Sequence, residues 1–402
     1  MLAGRVLGIR DFGVFSFSQS ISIMFLTFSS FGLNILLMRD VSRNNDIAQR
    51  YLSNILSWRI ILSAITYLFL MLTVIFFMNN SSQIEKIVAI LGLAVLMKFF
   101  SMTGISVLRA FERFDLEALI VILEQFLLLV LGGFFLLSGM GIYAFAFSFL
   151  VVRLCGCFFT FSLVKKLTSF SFQFNLPLIM ELQLKAIPLG AIIIVSTAYV
   201  QVNTLIVANI LDYQEVGLYN AAFKIYFGLY LLPKVFQTIF FPRLSRSFYE
   251  SKQEHNTFLV KGILSLFLTS LPISIFGIIY SDQIVILAFG NEFLGATSTM
   301  KIFFVVLIIT FQIMFLRTIF VSIDRQIILL VFNIAGLFVL IVLNYCFIPK
   351  FGIAGAAIAL GSSEIFVFMG LWIYLFKKHF QFTSIPDVFT KILSAVNLNV
   401  NY

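Results

Sequence analysis

The stretch Leu211–Arg246, LDYQEVGLYNAAFKIYFGLYLLPKVFQTIFFPRLSR, decides the class of the protein. It opens on two acids, Asp212 and Glu215, and closes on two bases, Arg243 and Arg246. The run between them is apolar and long enough to cross a bilayer, which takes about 20 residues at 1.5 Å each. Within it lie Lys224 and Lys234, at depths where a lysine costs about 2.5–3.5 kcal/mol. Outward from this stretch the same grammar repeats. The 402 residues are 61% hydrophobic and 11% charged, too little polar surface to clothe a soluble core. Apolar runs recur without the two-residue alternation of a membrane barrel, so the chain is read as an all-α polytopic membrane protein.

Eleven spans are expected, near 12–37, 56–78, 86–106, 116–137, 142–164, 186–209, 216–241, 259–280, 301–322, 326–348 and 353–376. The segment 286–293, ILAFGNEF, is too short to span and is expected as an interfacial loop. The expected divisions are an N-terminal bundle over 1–165, a linker over 166–185, a C-terminal bundle over 186–376 and a tail over 377–402. Eighteen Lys and Arg fall in the connectors of one side and five on the other, which places the first set, including Arg59 and Arg317, in the cytoplasm. The N-terminus is then extracytoplasmic and the C-terminus cytoplasmic.

An internal repeat runs through the chain. LGIRDFGVF at 7–15 matches LDYQEVGLY at 211–219, with Gly13 on Gly217 at an offset of 204. VSR at 41–43 meets LSR at 244–246 at 203, Leu108-Arg109 meets Leu316-Arg317 at 208, and GIYAFA at 141–146 meets GIAGAA at 352–357 at 211. Four matches in one order with slowly drifting offsets point to duplication. Four spans separate 12–37 from its mate 216–241, so the two bundles are parallel repeats about an axis along the membrane normal. In transporters built this way the substrate path lies between the halves. The second half has one span more than the first: the mate of 186–209 is missing, and Met1 falls where it would have ended.

Six ionisable residues fall inside spans: Lys98, Arg153, Lys224, Lys234, Glu124 and Glu364. Facing lipid, they would together cost roughly 15–20 kcal/mol, more than the usual net stability of a protein. They face an aqueous cavity or one another. Four cations against two acids favours a cationic cavity for an anionic headgroup such as a phosphate or pyrophosphate. Salt bridging of Glu124 or Glu364 with Arg153 or Lys98 is the alternative. Ten residues turn a helix by about 280° net, so Lys224 and Lys234 can share one broad face. Pro233 invites a kink beside Lys234. Glu124 and Glu364 are the candidates for ion coupling. Cys155, Cys157 and Cys346 lie in apolar runs, and His255 and His379 stand alone, so no metal site, cofactor or catalytic constellation is expected and the chain is not read as an enzyme.

The stretches AGRVLGIRDFGVFSFSQSI, FGLNILLMRDVSR, VGLYNAAFKIYFGLYLLPKVFQTIFFPRLSR and FGIAGAAIALGSSEI resemble the polysaccharide (O-antigen type) flippases. These belong to the multidrug/oligosaccharidyl-lipid/polysaccharide exporter superfamily. The resemblance implies two six-helix bundles around a cationic cavity. It implies transfer of undecaprenyl-pyrophosphate-linked repeat units from the inner to the outer leaflet of a bacterial plasma membrane, by alternating access, for O-antigen or capsule. The cavity's cations fall on Lys98, Arg153, Lys224 and Lys234. The implied partners are the lipid-linked oligosaccharide, membrane lipid and other polysaccharide-assembly membrane proteins, with no nucleic acid. Family members carry twelve spans, one more than here. The alternatives are a drug or metabolite exporter of the same superfamily, or a membrane-embedded polymerase or glycosyltransferase.

Overall fold

The computed structural model describes residues 1–77, 82–237, 252–323 and 325–378. Twelve α-helices and no strand occur among them. They are α1 (Leu2–Leu26), α2 (Leu33–Arg43), α3 (Ala48–Phe77), α4 (Ser82–Ala110), α5 (Phe114–Leu137), α6 (Gly141–Val164), α7 (Leu176–Ile210), α8 (Tyr213–Leu229), α9 (Lys252–Ile279), α10 (Ser281–Phe289), α11 (Thr297–Ser322) and α12 (Gln326–Lys378). Nine described segments are long and apolar enough to cross a membrane. One of them, α12, is a hairpin: its backbone breaks at Gly352, with φ +58° and ψ −142°. Ser363 Oγ on one arm donates to the Gly336 carbonyl on the other at 2.7 Å. The hairpin adds a tenth span. The opening stretch is helical over Tyr213–Leu229 and again over 231–237, and its continuation with Arg243 and Arg246 lies outside the described residues.

Two expected spans change shape. The first begins at Leu2 rather than residue 12 and ends at Leu26, and α2 is a separate short helix after a break at 27–32. The break is written in hydroxyls and glycine. Thr27, Ser29 and Ser30 each turn a side-chain donor back onto a backbone carbonyl three or four residues earlier, competing with the helix ladder. Gly32 then takes φ +79°, open to glycine at little cost. A Cβ there would lie 2.5 Å from the Gly190 nitrogen, so only glycine lets α2 start against α7. The opening stretch breaks at Tyr230 because Pro233 has no N–H for the Leu229 carbonyl and its ring crowds that oxygen. The break voids the single rotation expected between Lys224 and Lys234.

The chain forms two compact units. One comprises Met1–Ala221 with Ala288–Phe293, the other Ala222–Leu287 with Leu294–Tyr402. The division is not at the 166–185 linker. Residues 176–185 already belong to α7, and the preceding segment is tied to α3: Ser171 N donates to Ser53 Oγ at 3.1 Å and Asn175 N to Asn54 Oδ1 at 2.7 Å. Trp58 Nε1 adds a bond to Gln183 Oε1 at 2.9 Å. The segment 286–293 is not a loop. It holds the end of α10 and the start of a 3-10 turn, and Phe289 and Phe293 pack on Phe12 at centroid distances of 5.7 and 5.8 Å.

Within the first unit the repeat becomes physical. A Cβ on Gly13 would lie 1.7 Å from the Tyr213 carbonyl oxygen, and one on Gly217 would lie 2.2 Å from the Ile9 carbonyl oxygen. The offset of 204 carries Gly13 to Gly217 and Ile9 to Tyr213. Each contact is therefore the image of the other, the reciprocity that a two-fold relation imposes. The last repeat match behaves the same way. Gly141 and Gly352, paired at 211, both take positive φ, +77° and +58°, at the turn into the last helix of their half. Both matches carry the mark of two parallel repeats.

Arg59 is fully buried and is not a connector residue. Its guanidinium donates to the Phe99 carbonyl at 2.6 Å, to the Thr103 hydroxyl, and to the Ser30 carbonyl at 3.5 Å. It thereby joins α3 to α4 and to the α1 break. Arg317 is half-buried within the second unit, bonded to Tyr230 Oη and Asn333 Oδ1 at 3.1 and 3.3 Å. Neither acts as a surface anchor.

Candidate functional site

Three helices of the first unit meet at one carboxylate. Lys98 on α4 and Arg153 on α6 both reach Oε2 of Glu124 on α5, the lysine at 2.8 Å and the arginine in closer contact. Glu124 is 2% exposed, Arg153 17% and Lys98 28%. The acid is the most buried of the three, and the two cations are the more exposed. The cluster carries a net single positive charge. Charge-assisted bonds of this kind are about twice as strong as neutral ones. One carboxylate cannot neutralise two cations, and its Oε1 has no partner among the described residues.

Gly156 makes the arrangement possible. It sits one turn beyond Arg153 on α6, and a Cβ there would lie 2.3 Å from Glu124 Oε1 and 2.9 Å from its Cγ. Only a bare Cα lets the carboxylate lie flat against α6 beside its arginine. Gly156→Ala is expected to push Glu124 off Arg153 and lower stability by about 1–3 kcal/mol. Thermal unfolding of the purified variant reads that shift. An unchanged midpoint would show that the carboxylate does not occupy this position.

The second unit holds a different cluster. Glu364 on α12, 8% exposed, lies against the hydroxyls of Thr310 on α11 and Tyr226 on α8, at 2.5 and 3.2 Å. Tyr226 stacks on Phe303 at 5.0 Å between centroids. The offset of 211 that pairs Gly141 with Gly352 also pairs Arg153 with Glu364. At one position of the repeat the first half carries a cation and the second an acid.

The six intramembrane ionisable residues thus fall into separate surroundings. Lys98, Arg153 and Glu124 come together. Glu364 has hydroxyl neighbours. Lys224 is half-buried on α8, and Lys234 is exposed beyond the break at Tyr230. Arg59 and Arg317 were missed as interior cations because each sits near the end of an apolar run, where a basic residue ordinarily marks the membrane surface. Their neighbours Thr103 and Asn333 were a usable signal: a hydroxyl and an amide inside spans, able to satisfy a guanidinium.

Comparison with known proteins places this architecture. The family described as "Polysaccharide biosynthesis protein" matches residues 2–298. A Shigella flexneri protein named "Putative O-antigen transporter" is 27% identical over 169 residues, 41% of this chain and 40% of that protein, so the match spans well under half of the relative. The structure described as an inward-facing multidrug resistance MATE family transporter of the MOP superfamily superposes with a TM-score of 0.73 at 15% identity, covering 99% of this chain and 96% of that one. The inward closed conformation of the lipid II flippase MurJ gives 0.71 at 17% identity, covering 98% and 89%. The helical architecture is that of the MOP transporters, and the family match extends over nearly three quarters of the chain. By its matched residues and its fold, this chain belongs to the polysaccharide biosynthesis protein family.

Proposed function

We propose that this multi-pass membrane protein is a flippase. It moves a polyprenyl-pyrophosphate-linked oligosaccharide from the inner to the outer leaflet of a bacterial plasma membrane, by alternating access, in the assembly of a surface polysaccharide. The observation that carries the reading is the excess positive charge at Lys98, Arg153 and Glu124 inside spanning helices. A sugar headgroup cannot cross hydrocarbon unaided, because each polar group stripped of water costs several kcal/mol. A pyrophosphate adds charges that need cations. Here Arg153 and Lys98 supply them, with Glu124 holding both side chains in place until the anion arrives. A drug exporter for cationic compounds would reverse this balance of charge. Lys224, Lys234, Arg317 and Arg59 add no acid, so the interior of the spans stays cationic overall.

One relative carries the name "Putative O-antigen transporter", and this chain shares its fold with a lipid II flippase, which supports a lipid-linked substrate. The test is transfer of a labelled undecaprenyl-pyrophosphate oligosaccharide across proteoliposomes holding the purified chain. Arg153→Gln is expected to slow it at least tenfold with unchanged membrane abundance, and Arg153→Lys to retain part of the rate because it keeps the charge but not the fork. Wild-type rates in both Arg153→Gln and Lys98→Gln would overturn the assignment.

A further inference from the structure

Between α6, which ends at Val164, and α7, which starts at Leu176, the chain crosses as a strap, KKLTSFSFQFN over 165–175. Two buried polar side chains of α3 pin its backbone. Ser53 Oγ accepts from Ser171 N at 3.1 Å, and Asn54 Oδ1 accepts from Asn175 N at 2.7 Å. Asn175 Oδ1 in turn accepts from Leu178 N at 3.1 Å and caps α7. Phe170 packs on Phe161 at 5.3 Å between centroids, with Lys165 Nζ 5.8 Å from the centre of its ring. A buried polar group without its partner is costly, so Ser53 and Asn54 commit the strap to this course.

So fixed, the strap holds two large aromatic side chains outward. Phe172 is 76% exposed and Phe174 55%. Exposed Leu176, Met180 and Leu184 then recur at every fourth residue of α7, on the side opposite buried Leu178 and Leu182. A helix apolar on both sides is not built to face water. The depth is that of the membrane boundary. Lys165 is the first residue past the spanning helix α6. Ser53 and Asn54 precede the expected span at 56–78 by about 3–5 Å of helix. The headgroup layer is about 5–7 Å deep on each face of a bilayer. The charge of the strap has one sign. Lys165 and Lys166 are exposed, and no acid occurs from 165 to 180. The next acid, Glu181, is bonded to Lys185 at 2.6 Å, and the two cancel.

We propose that this strap is a binding surface for anionic phospholipid of the cytoplasmic leaflet. Phe172 and Phe174 enter the boundary between headgroups and acyl chains, where apolar side chains of interfacial segments settle. Lys165 and Lys166 hold the lipid phosphates, as basic residues beside a membrane do. A zwitterionic lipid carries its own cation and satisfies only the rings. An acidic lipid satisfies the rings and the lysines together, and that double match selects it. The strap belongs wholly to the first unit. The inference rests on the chain spanning a membrane and not on what it carries.

The full chain in nanodiscs of phosphatidylcholine with a minor share of phosphatidylglycerol tests this, with bromine on the acyl chains of one lipid or the other. Phe172→Trp puts a fluorophore on the strap, measured against the wild type with its own Trp58 and Trp372. Brominated phosphatidylglycerol is expected to quench the added fluorescence about twofold more per molecule than brominated phosphatidylcholine. The preference is expected to vanish when Lys165→Gln and Lys166→Gln are added. Equal quenching by the two lipids overturns the proposal. No quenching by either also overturns it, and would point to a protein as the cover of the two rings. The unsubstituted strap gives a second measurement that stands even where Phe172→Trp fails to fold. The thermal midpoint of the wild type is expected to rise as phosphatidylglycerol replaces phosphatidylcholine, and the Lys165→Gln, Lys166→Gln protein to lose most of that rise. A midpoint indifferent to phosphatidylglycerol, or a rise undiminished in the double variant, overturns the proposal.

Discussion

Glu124→Gln is expected to destabilise the protein more than removal of either cation that it serves. The single carboxylate holds both Lys98 and Arg153 through one oxygen. Lys98→Met leaves a balanced arginine–carboxylate pair, and Arg153→Met leaves a balanced lysine–carboxylate pair. Glu124→Gln leaves two adjacent cations with no anion between them. Breaking a buried pair from one side costs about 3–5 kcal/mol. The partial exposure of Lys98 softens this toward the lower figure. Lys98→Met is expected to cost about 1–2 kcal/mol, the usual range for a lost charged hydrogen bond. The double variant Lys98→Met, Glu124→Gln is expected to recover part of the loss, because one stranded cation costs less than two. Thermal unfolding in detergent measures all three. A Glu124→Gln protein as stable as the wild type would sink the three-way pairing and with it the idea that Glu124 holds the anion-binding cations ready.

The second large effect lies at the helix crossing. Gly13→Ala and Gly217→Ala are each expected to abolish accumulation of folded protein, and to do so equally. The added methyl groups would fall 1.7 Å and 2.2 Å from carbonyl oxygens of the facing backbone. A flexible side chain could move aside; a helix backbone can yield only by moving the whole helix. Overpacking of a core commonly costs about 1–3 kcal/mol and more where backbone must shift. The contact is reciprocal, so one substitution should mimic the other. Gly133→Ala is the control: its nearest neighbour, Leu2, stands 4.0 Å away, and within a helix the change should be neutral or favourable by up to about 1 kcal/mol. Membrane abundance of the three variants reads the result. Normal levels of Gly13→Ala would mean that α1 and α8 do not cross there.

The charge pattern and the crossing differ in how far they could be read in advance. The Gly13–Gly217 pairing was legible as a repeat match but not as a contact. Alignment at an offset of 204 says that two residues are equivalent; it does not say that they touch. The hairpin turn at Gly352 was legible in the GIAGAA match to GIYAFA, since a glycine recurring at one place in both halves points to a backbone conformation that other residues avoid. The break in α1 was not. Its cause is spread over three hydroxyls and a glycine whose necessity comes from Gly190, a residue far along the chain.

The amino-acid sequence by itself determined the class, the duplication and six of the charges that lie inside spans. Each of these depends on length and order along the chain: an apolar run of sufficient length must cross, and a charge within it must find relief. Tertiary structure alone decided that relief. It set Glu124 between Lys98 and Arg153, gave Glu364 to Thr310 and Tyr226, buried Arg59, and laid Gly13 on Gly217. The physical reason is the solvent. In water a helix shows its inner face by an apolar stripe. In a bilayer both faces are apolar, so the rotation of each helix about its axis, and hence the partner of each buried charge, leaves no periodic mark in the sequence. It follows from packing.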